Sequence, residues 1–442
     1  MRRTRWLVAL TAFGLLGTAC VGGGDDGGDG TQPDAQQDLS GEQIEVAAVW
    51  SGPEQQRFRA VLDAFEEQTG ATADFTSTGD DIAAVLGPRV EGGDPPDVAI
   101  LPQPGLLRDF AGQDALIPID DVVGDELEAN FAPVFQELGS VDGTLYGLYW
   151  KMANKSTVWF NIHSFQNAGV EPPEDWDGLQ QVAQTLSDSG VTPYSIGGGD
   201  GWTLSDWFEN IYIRTAGADA YDQLTNHDIP WTDQSVKDAL TVFADVVGNP
   251  DLIAGGTDGA LQTDFTTSVT QVYANPQSPE AAIVYEGDFV AGEITGNTEA
   301  QLGTDADFFP FPEIEGSGPA VIGGGDAAVL MNDSEGGRAL IEFLATPEAA
   351  EVWAAEGGFL SPNQNLDTSV YPDDITRRTA EALVEAAEAG NFRFDLSDLQ
   401  PSEFGATTGE GIWGLLQEFV RNPDDVDGIT QQLEQAASRA FG

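Results

Sequence analysis

Trp50 with Glu54 and Trp202 with Asp206 bring together the two side-chain types that hold a hydroxyl-rich ligand. Tryptophan offers a wide apolar face for the C–H side of a sugar ring and has few rotors to freeze. A carboxylate accepts hydrogen bonds from hydroxyls, and lysine or arginine donates them. Each polar group is costly when buried unpaired, so a mismatched ligand is rejected. Further candidates of these types are Gln103, Lys151, Glu286, Arg393 between Phe392 and Phe394, and the backbone N–H and carboxylate of Gly325 and Asp326. Asp80 and Asp81 follow the second strand, which begins near Ala71. Asp81 is the candidate contact of the two, with helix capping as its other reading. Trp50 could serve the core instead, and Trp207 is expected to.

The elements that must position these residues are legible from apolar spacing. Residues 44–50 read as a buried strand, 51–53 as a turn, and Glu54 as the start of a helix. Phe58, Val61, Leu62 and Phe65 recur at helical spacing until Gly70. A strand from Ala71, a helix over 82–90, a Gly/Pro turn over 92–96 and a strand over 97–101 repeat the order. Strand–helix alternation implies an α/β fold with a parallel sheet covered on both faces. Ligands bind beyond the carboxyl ends of such strands, where Trp50, Glu54 and Gln103 fall. Later helices are expected over 176–186 behind an Asp175 cap, over 203–214 and over 234–247. Extended segments are expected over 281–285 and 308–311. A Gly323–Asp326 turn should interrupt 319–330, and 335–442 should be mostly helical.

The 442 residues suffice for two domains. With 74 acidic against 17 basic residues, the net charge of -57 repels nucleic acid and anionic lipid, and excludes a nucleic-acid function. The acidity is spread along the chain, as on a solvated surface. Lysine occurs only at 151, 155 and 237, which also fits adaptation to high salt. A single cysteine, Cys20, allows no internal disulfide, and His163 and His227 cannot make a Cys/His zinc site. Asp424–Glu434 hints at a calcium loop, but Pro423 occupies the first ligand place. No metal or other cofactor is expected. The chain has no G-x-S-x-G, H-E-x-x-H or P-loop motif, and carboxylate pairs arise by chance in so acidic a sequence. A secreted glycosidase is therefore the lesser alternative, and no catalytic residue is assigned.

Arg2, Arg3 and Arg5 precede an apolar run over 7–16, too short to span a bilayer as a stable helix. Gly17, Thr18, Ala19 and Cys20 follow, and the segment resembles a bacterial lipoprotein signal with its leucine one place early. The resemblance implies a signal peptide over 1–20 and lipidation of Cys20. Residues 21–41 read as a Gly/Asp-rich tether.

Several runs then occur in a specific order. They are Ala64-Phe65-Glu66-Glu67-Gln68-Thr69-Gly70, Gly93-Asp94-Pro95-Pro96-Asp97-Val98, Asp142-Gly143-Thr144-Leu145-Tyr146-Gly147 and Asn154-Lys155-Ser156-Thr157-Val158-Trp159-Phe160-Asn161. From residue 44 to the C-terminus the order resembles the family 1 extracellular solute-binding proteins of carbohydrate ABC transporters. Gly201-Trp202 with Ser205-Asp206-Trp207, Gly324-Gly325-Asp326, Gly357 to Ser361, and Phe392 to Asp395 resemble the alpha-glucoside-binding branch. Tyr285-Glu286-Gly287-Asp288-Phe289 departs from that branch by an added carboxylate.

The resemblance implies a two-lobe, periplasmic-binding-protein-like fold of type II with the ligand cleft between lobes. Chain crossings are expected near 151–155, 305–311 and 332–335. Lobe one would then hold 42–151 and 307–333, and lobe two 152–306 and 334–442. Lys151 falls at one hinge, and Trp413 on a terminal helix whose aromatics stack on sugar in related binders or pack against the helix. The implied protein is a monomer, lipid-anchored on the outer face of the cytoplasmic membrane. Closing on a small carbohydrate, it would pass it to the transporter's permease subunits. A polyol or amino acid derivative is the alternative solute.

Overall fold

A computed structural model describes residues 38–442, apart from the side chains of 387 and 388. The signal segment, Cys20 and the tether as far as 37 lie outside the described residues. The expected tether end at 41 is too late. Leu39 is buried, and its N–H donates to Thr69 O at 2.8 Å.

The first elements follow the apolar spacing: β1 (Gln43–Ala48), α1 (Gly52–Thr69), β2 (Thr72–Ser77), α2 (Ile82–Gly92) and β3 (Val98–Leu101). Helix α1 starts before Glu54 because Pro53 fits the first turn, where no N–H is required. It buries Phe58, Val61, Leu62 and Phe65 and stops at Gly70, whose φ of 78° is left-handed. Next come β4 (Gly147–Asn154), β5 (Thr157–Asn161), α3 (Trp176–Asp188), β6 (Tyr194–Ser195), α4 (Trp202–Ala216), α5 (Gln234–Val247) and α6 (Phe265–Tyr273). The Asp175 side chain caps α3 by accepting from Gly178 N. The chain continues through β7 (Ile283–Tyr285), α7 (Val290–Asn297), β8 (Ala306–Pro310), β9 (Val321–Leu330), α8 (Glu335–Leu344) and α9 (Pro347–Ala354). It ends through β10 (Phe392–Phe394), α10 (Gly411–Arg421) and a final helix.

Two sheets define two lobes. The first runs β10–β9–β3–β1–β2, with β4 on the other edge of β9. Its β1, β2 and β3 are parallel, and β9 returns antiparallel to β3. The second runs β8–β5–β7–β6. Its strands alternate between two cores. Val158, Phe160, Ile283, Tyr285 and Phe309 face one, while Trp159, Val284 and Phe308 face the other.

The chain passes from the first sheet to the second between β4 and β5, and returns between β8 and β9. The third passage is not at 332–335. Helices α8 and α9 stay in the first lobe, where α9 packs against α1 and Trp353 meets Trp50 at 4.9 Å. The helix over Asp374–Glu388 touches both lobes, with Ile375 in a second-lobe core, and the chain passes over after β10, for Leu396, Phe404 and Trp413 belong to the second lobe's core. Long-range aromatic packing outweighs the local sequence here.

The expected turn at Gly323–Asp326 is instead the middle of β9. Its glycines serve close approach: a Cβ on Gly323 would lie 2.2 Å from Phe392, and one on Gly325 2.7 Å from Met152 Sδ. The pairing with β4 shifts between Asp326 and Ala327, a bulge that re-aims Asp326.

Candidate functional site

A cavity of about 490 Å³ lies between the lobes, within the usual size range of small-molecule sites. The first lobe supplies Trp50, Glu54, Asp80, Gln103, Lys151 and Asp326; the second supplies Trp202, Phe265, Phe289, Glu293 and Trp413. Trp50 follows β1 and is only 3% exposed, packed edge-on with Phe58, Trp150 and Trp353. It therefore serves the core and the cavity wall together.

Lys151, in the middle of β4, is buried behind this wall. Its Nζ lies 3.2 Å from Asp326 Oδ2 and 3.5 Å from Glu54 Oε1, and over the rings of Trp50 and Trp353. Burial alone would pull its pKa down, but Asp326, Glu54 and Asp288 outweigh burial and hold the ammonium above the ordinary lysine value. Glu54 is pushed up by burial, with Lys151 opposing. Gly325 and Gln103 also line this side.

The facing wall is aromatic. Trp202 opens α4, 5.3 Å from the Phe265 ring and 6.1 Å from Phe289. Gly201 caps the helix at φ 88°, and a Cβ there would meet Trp413 Cβ at 2.8 Å. Only glycine lets Trp202 and Trp413 reach the same wall. Asp200, at the rim, accepts from Phe265 N, yet burial with Asp80 and Asp264 nearby pushes it up to about 6.

Lys155 sits where the chain crosses between sheets. Its Nζ is 2.5 Å from Asp395 Oδ2, 3.3 Å from Asp206 Oδ1 and 3.6 Å from Asp398 Oδ2, and 5.7 Å from the Trp202 centroid. Lysine Nζ and the surrounding carboxylates form a buried network with one cation among many acids. Asp206 and Glu286 belong to this network, not to the cavity lining expected for them. Both are fully buried because α4 and β7 turn these positions inward. Asp206 Oδ2 and both Glu286 oxygens lack a hydrogen-bond donor among the described residues. Burial pushes Asp206 up to about 8 and Glu286 well above its usual range, so the pair retains a proton at neutral pH. The oxygens of Asp206, Glu209 and Asp395 lie within 4.8 Å of one another. Lys155 already supplies the positive charge there, and Glu209 is taken up by Leu396 N, Ser397 N and Tyr221 Oη.

Two other expected contacts lie elsewhere. Asp81 caps α2, accepting from Ala84 N at 3.0 Å, and its neighbour Asp80 lines the cavity. Arg393 points away along β10 and pairs with Asp222 at 2.6 Å in a separate groove. Cavity residues not foreseen include Lys155, Asp200, Phe265, Phe289, Glu293 and Asp398. Lysine's rarity could have signalled Lys155. Phe265 and Glu293 carry no local signal, and only the packing of α6 and α7 brings them in.

The model for bacterial extracellular solute-binding proteins matches residues 50–351. The osmoprotective compounds-binding protein GgtB of Synechocystis is 33% identical over 413 residues, covering 92% of this chain and 93% of its own. The alpha-glucosides-binding periplasmic protein AglE of Rhizobium meliloti is 32% identical over 404 residues, covering 88% and 86%. Among solved structures, the solute receptor AcbH, described as preferring β-D-galactopyranose, aligns with a TM-score of 0.78 at 20% identity over 91% of this chain and 100% of that one. RafE in complex with raffinose aligns with a TM-score of 0.73 at 17% identity, over 90% and 100%. Two lobes, a cavity between them and these matches agree: the chain belongs to the bacterial extracellular solute-binding proteins of ABC transporters.

Proposed function

We propose that the protein captures a neutral hydroxyl-rich solute, an α-glucoside or other short oligosaccharide, and delivers it to a permease after lobe closure. The observation that carries this reading is the Trp202–Phe265–Phe289 wall opposite Lys151, Glu54 and Asp326 across one cavity. Aromatic faces take the C–H side of a ring, and the opposite group takes its hydroxyls. A ligand touching both lobes stabilises the closed form. The name of the AglE relative supports an α-glucoside, and that of GgtB supports an osmoprotective compound; a polyol or amino acid derivative is the second reading. Binding without turnover is the expected activity, and lipidation of Cys20 would keep the protein at the outer face of the cytoplasmic membrane. Among the described residues no helix is long and apolar enough to cross a membrane.

A thermal-shift screen of the protein against mono- and disaccharides, polyols and amino acids tests this. At a hundredfold excess over Kd, a ligand stabilises by roughly 2.7 kcal/mol. A shift with trehalose, maltose or sucrose that Trp202→Ala abolishes supports the reading. A response to amino acids alone refutes it. Product released from glucosides would replace it with an enzyme.

A further inference from the structure

Glu293 lines the cavity although it is only 3% exposed. It rides on α7, which packs against α1 of the other lobe, where Arg57 Nη2 donates to Gly292 O and Thr295 Oγ1. Both hydrogen bonds to Glu293 fall on Oε2: Thr266 Oγ1 donates at 3.0 Å and Asn297 Nδ2 at 2.7 Å. Oε1 has no partner among the described residues. The carboxylate is thus fixed in place with one oxygen open. Burial, with Glu54 across the lobe boundary, pushes it up to about 7, against the pull of Thr266, Arg57 and Asn297.

Among the described residues lining the cavity, the cations are Lys151 and Lys155. Lys151 is held by Glu54 and Asp326, and Lys155 by Asp206, Asp395 and Asp398. Neither is free to neutralise an anion brought by a ligand. An anionic solute would lose its hydration, meet no unpaired cation and face Glu293.

We infer that Glu293, acting with Glu54, is a specificity-determining residue that admits hydrogen-donating solutes of zero or positive charge and rejects those bearing phosphate or carboxylate. The inference rests on the sugar reading above and names the charge class of its ligand. A hydroxyl or ammonium donates to the open Oε1; a phosphate oxygen cannot.

The test, run at about pH 8, where the Glu293 carboxyl and the phosphate are both ionised, measures Kd for trehalose, maltose and sucrose, each beside its 6-phosphate and its 6-amino-6-deoxy form. For the sugar that binds, the expected result is a loss of at least about 100-fold for the phosphate, and an amino form bound as well as the parent or more tightly. The amino form tests the opposite charge at the same carbon, and Glu293→Gln separates charge from the bulk of the phosphate. Glu293→Gln should narrow the sugar-to-phosphate ratio at least about tenfold. If that variant does not fold, the unaltered protein is titrated with the 6-(dimethyl phosphate) of the same sugar, an uncharged ester at least as bulky as the phosphate. A charge effect lets the neutral ester bind more tightly than the phosphate, and a steric one does not. A phosphate bound within about threefold of its parent overturns the inference while the sugar reading stands. So does a ratio unmoved by Glu293→Gln or, where that variant does not fold, a neutral ester bound no better than the phosphate. Failure of every neutral sugar to bind removes the sugar reading and this inference with it.

Discussion

A Cβ on Gly324 would lie 2.9 Å from Lys155 Cε, so the lysine crosses β9 at the one kind of residue that leaves room for it. That crossing delivers Nζ to Asp206, Asp395 and Asp398. Gly324→Ala is expected to shift Lys155, destabilise the protein by about 1–3 kcal/mol as an overpacked core does, and weaken ligand binding. Urea unfolding and calorimetric titration read the two effects. An unchanged midpoint and Kd would show that the lysine relocates freely.

The acid network predicts an unusual pH dependence. Asp206 is raised from 3.8 to about 8 and Asp288 to about 7, both first by burial; Glu286, Glu209 and Asp398 are raised in the same way. A raised carboxyl binds its proton more tightly when folded. Its contribution is complete below the unfolded value near 4 and is lost as pH rises towards 8. Asp395, whose pKa is depressed, acts oppositely only in strong acid. Tm should therefore fall between pH 5 and 8. Glu286→Gln, which supplies an amide donor where a proton sits, should flatten that fall. A Tm that rises over this interval contradicts the burial argument.

Trp202→Ala should weaken sugar binding about 10- to 100-fold by removing the central face of the aromatic wall, and Trp202→Phe should lose less. Unliganded Tm separates this from misfolding, since Trp202 is only part-buried.

Arg393→Ala serves as the contrasting position. Its pair with Asp222 is partly exposed, at 25% and 48%, and lies outside the cavity. The change should alter stability by less than about 1 kcal/mol and leave Kd unmoved. A tenfold loss of affinity would place Arg393 in the binding path.

The net charge of -57 predicts that Tm rises with added NaCl as self-repulsion is screened. A comparison at 0.05 M and 2 M NaCl checks this. A Tm independent of salt would mean that the acidity costs the fold nothing measurable.

Much of the architecture was legible in local pattern. Phe58, Val61, Leu62 and Phe65 mark α1 by spacing alone, Asp175 marks the start of α3 by its capping chemistry, and residues 234–247 form the helix their periodicity announces. Trp50, Glu54 and Gln103 stand at the ends of β1 and β3, where a parallel sheet exposes its carboxyl edge. These features depend on interactions a few residues long, so the sequence by itself determined them.

Other features depend on which distant segment arrives at a given place. Gly323–Asp326 looks like a turn until Phe392, Lys155 and Met152 need the space that a Cβ would fill. Helices α8 and α9 join the first lobe because Trp353 completes an aromatic core with Trp50, Phe58 and Trp150. Asp206 and Glu286 carry the residue types of ligand contacts, yet helix and strand direction turn them inward. Glu293 has no local signature, and α7 brings it to the cavity by packing on α1. Residue type sets what a side chain can do; burial and direction, which only the tertiary structure decided, set whether it meets a ligand or the core.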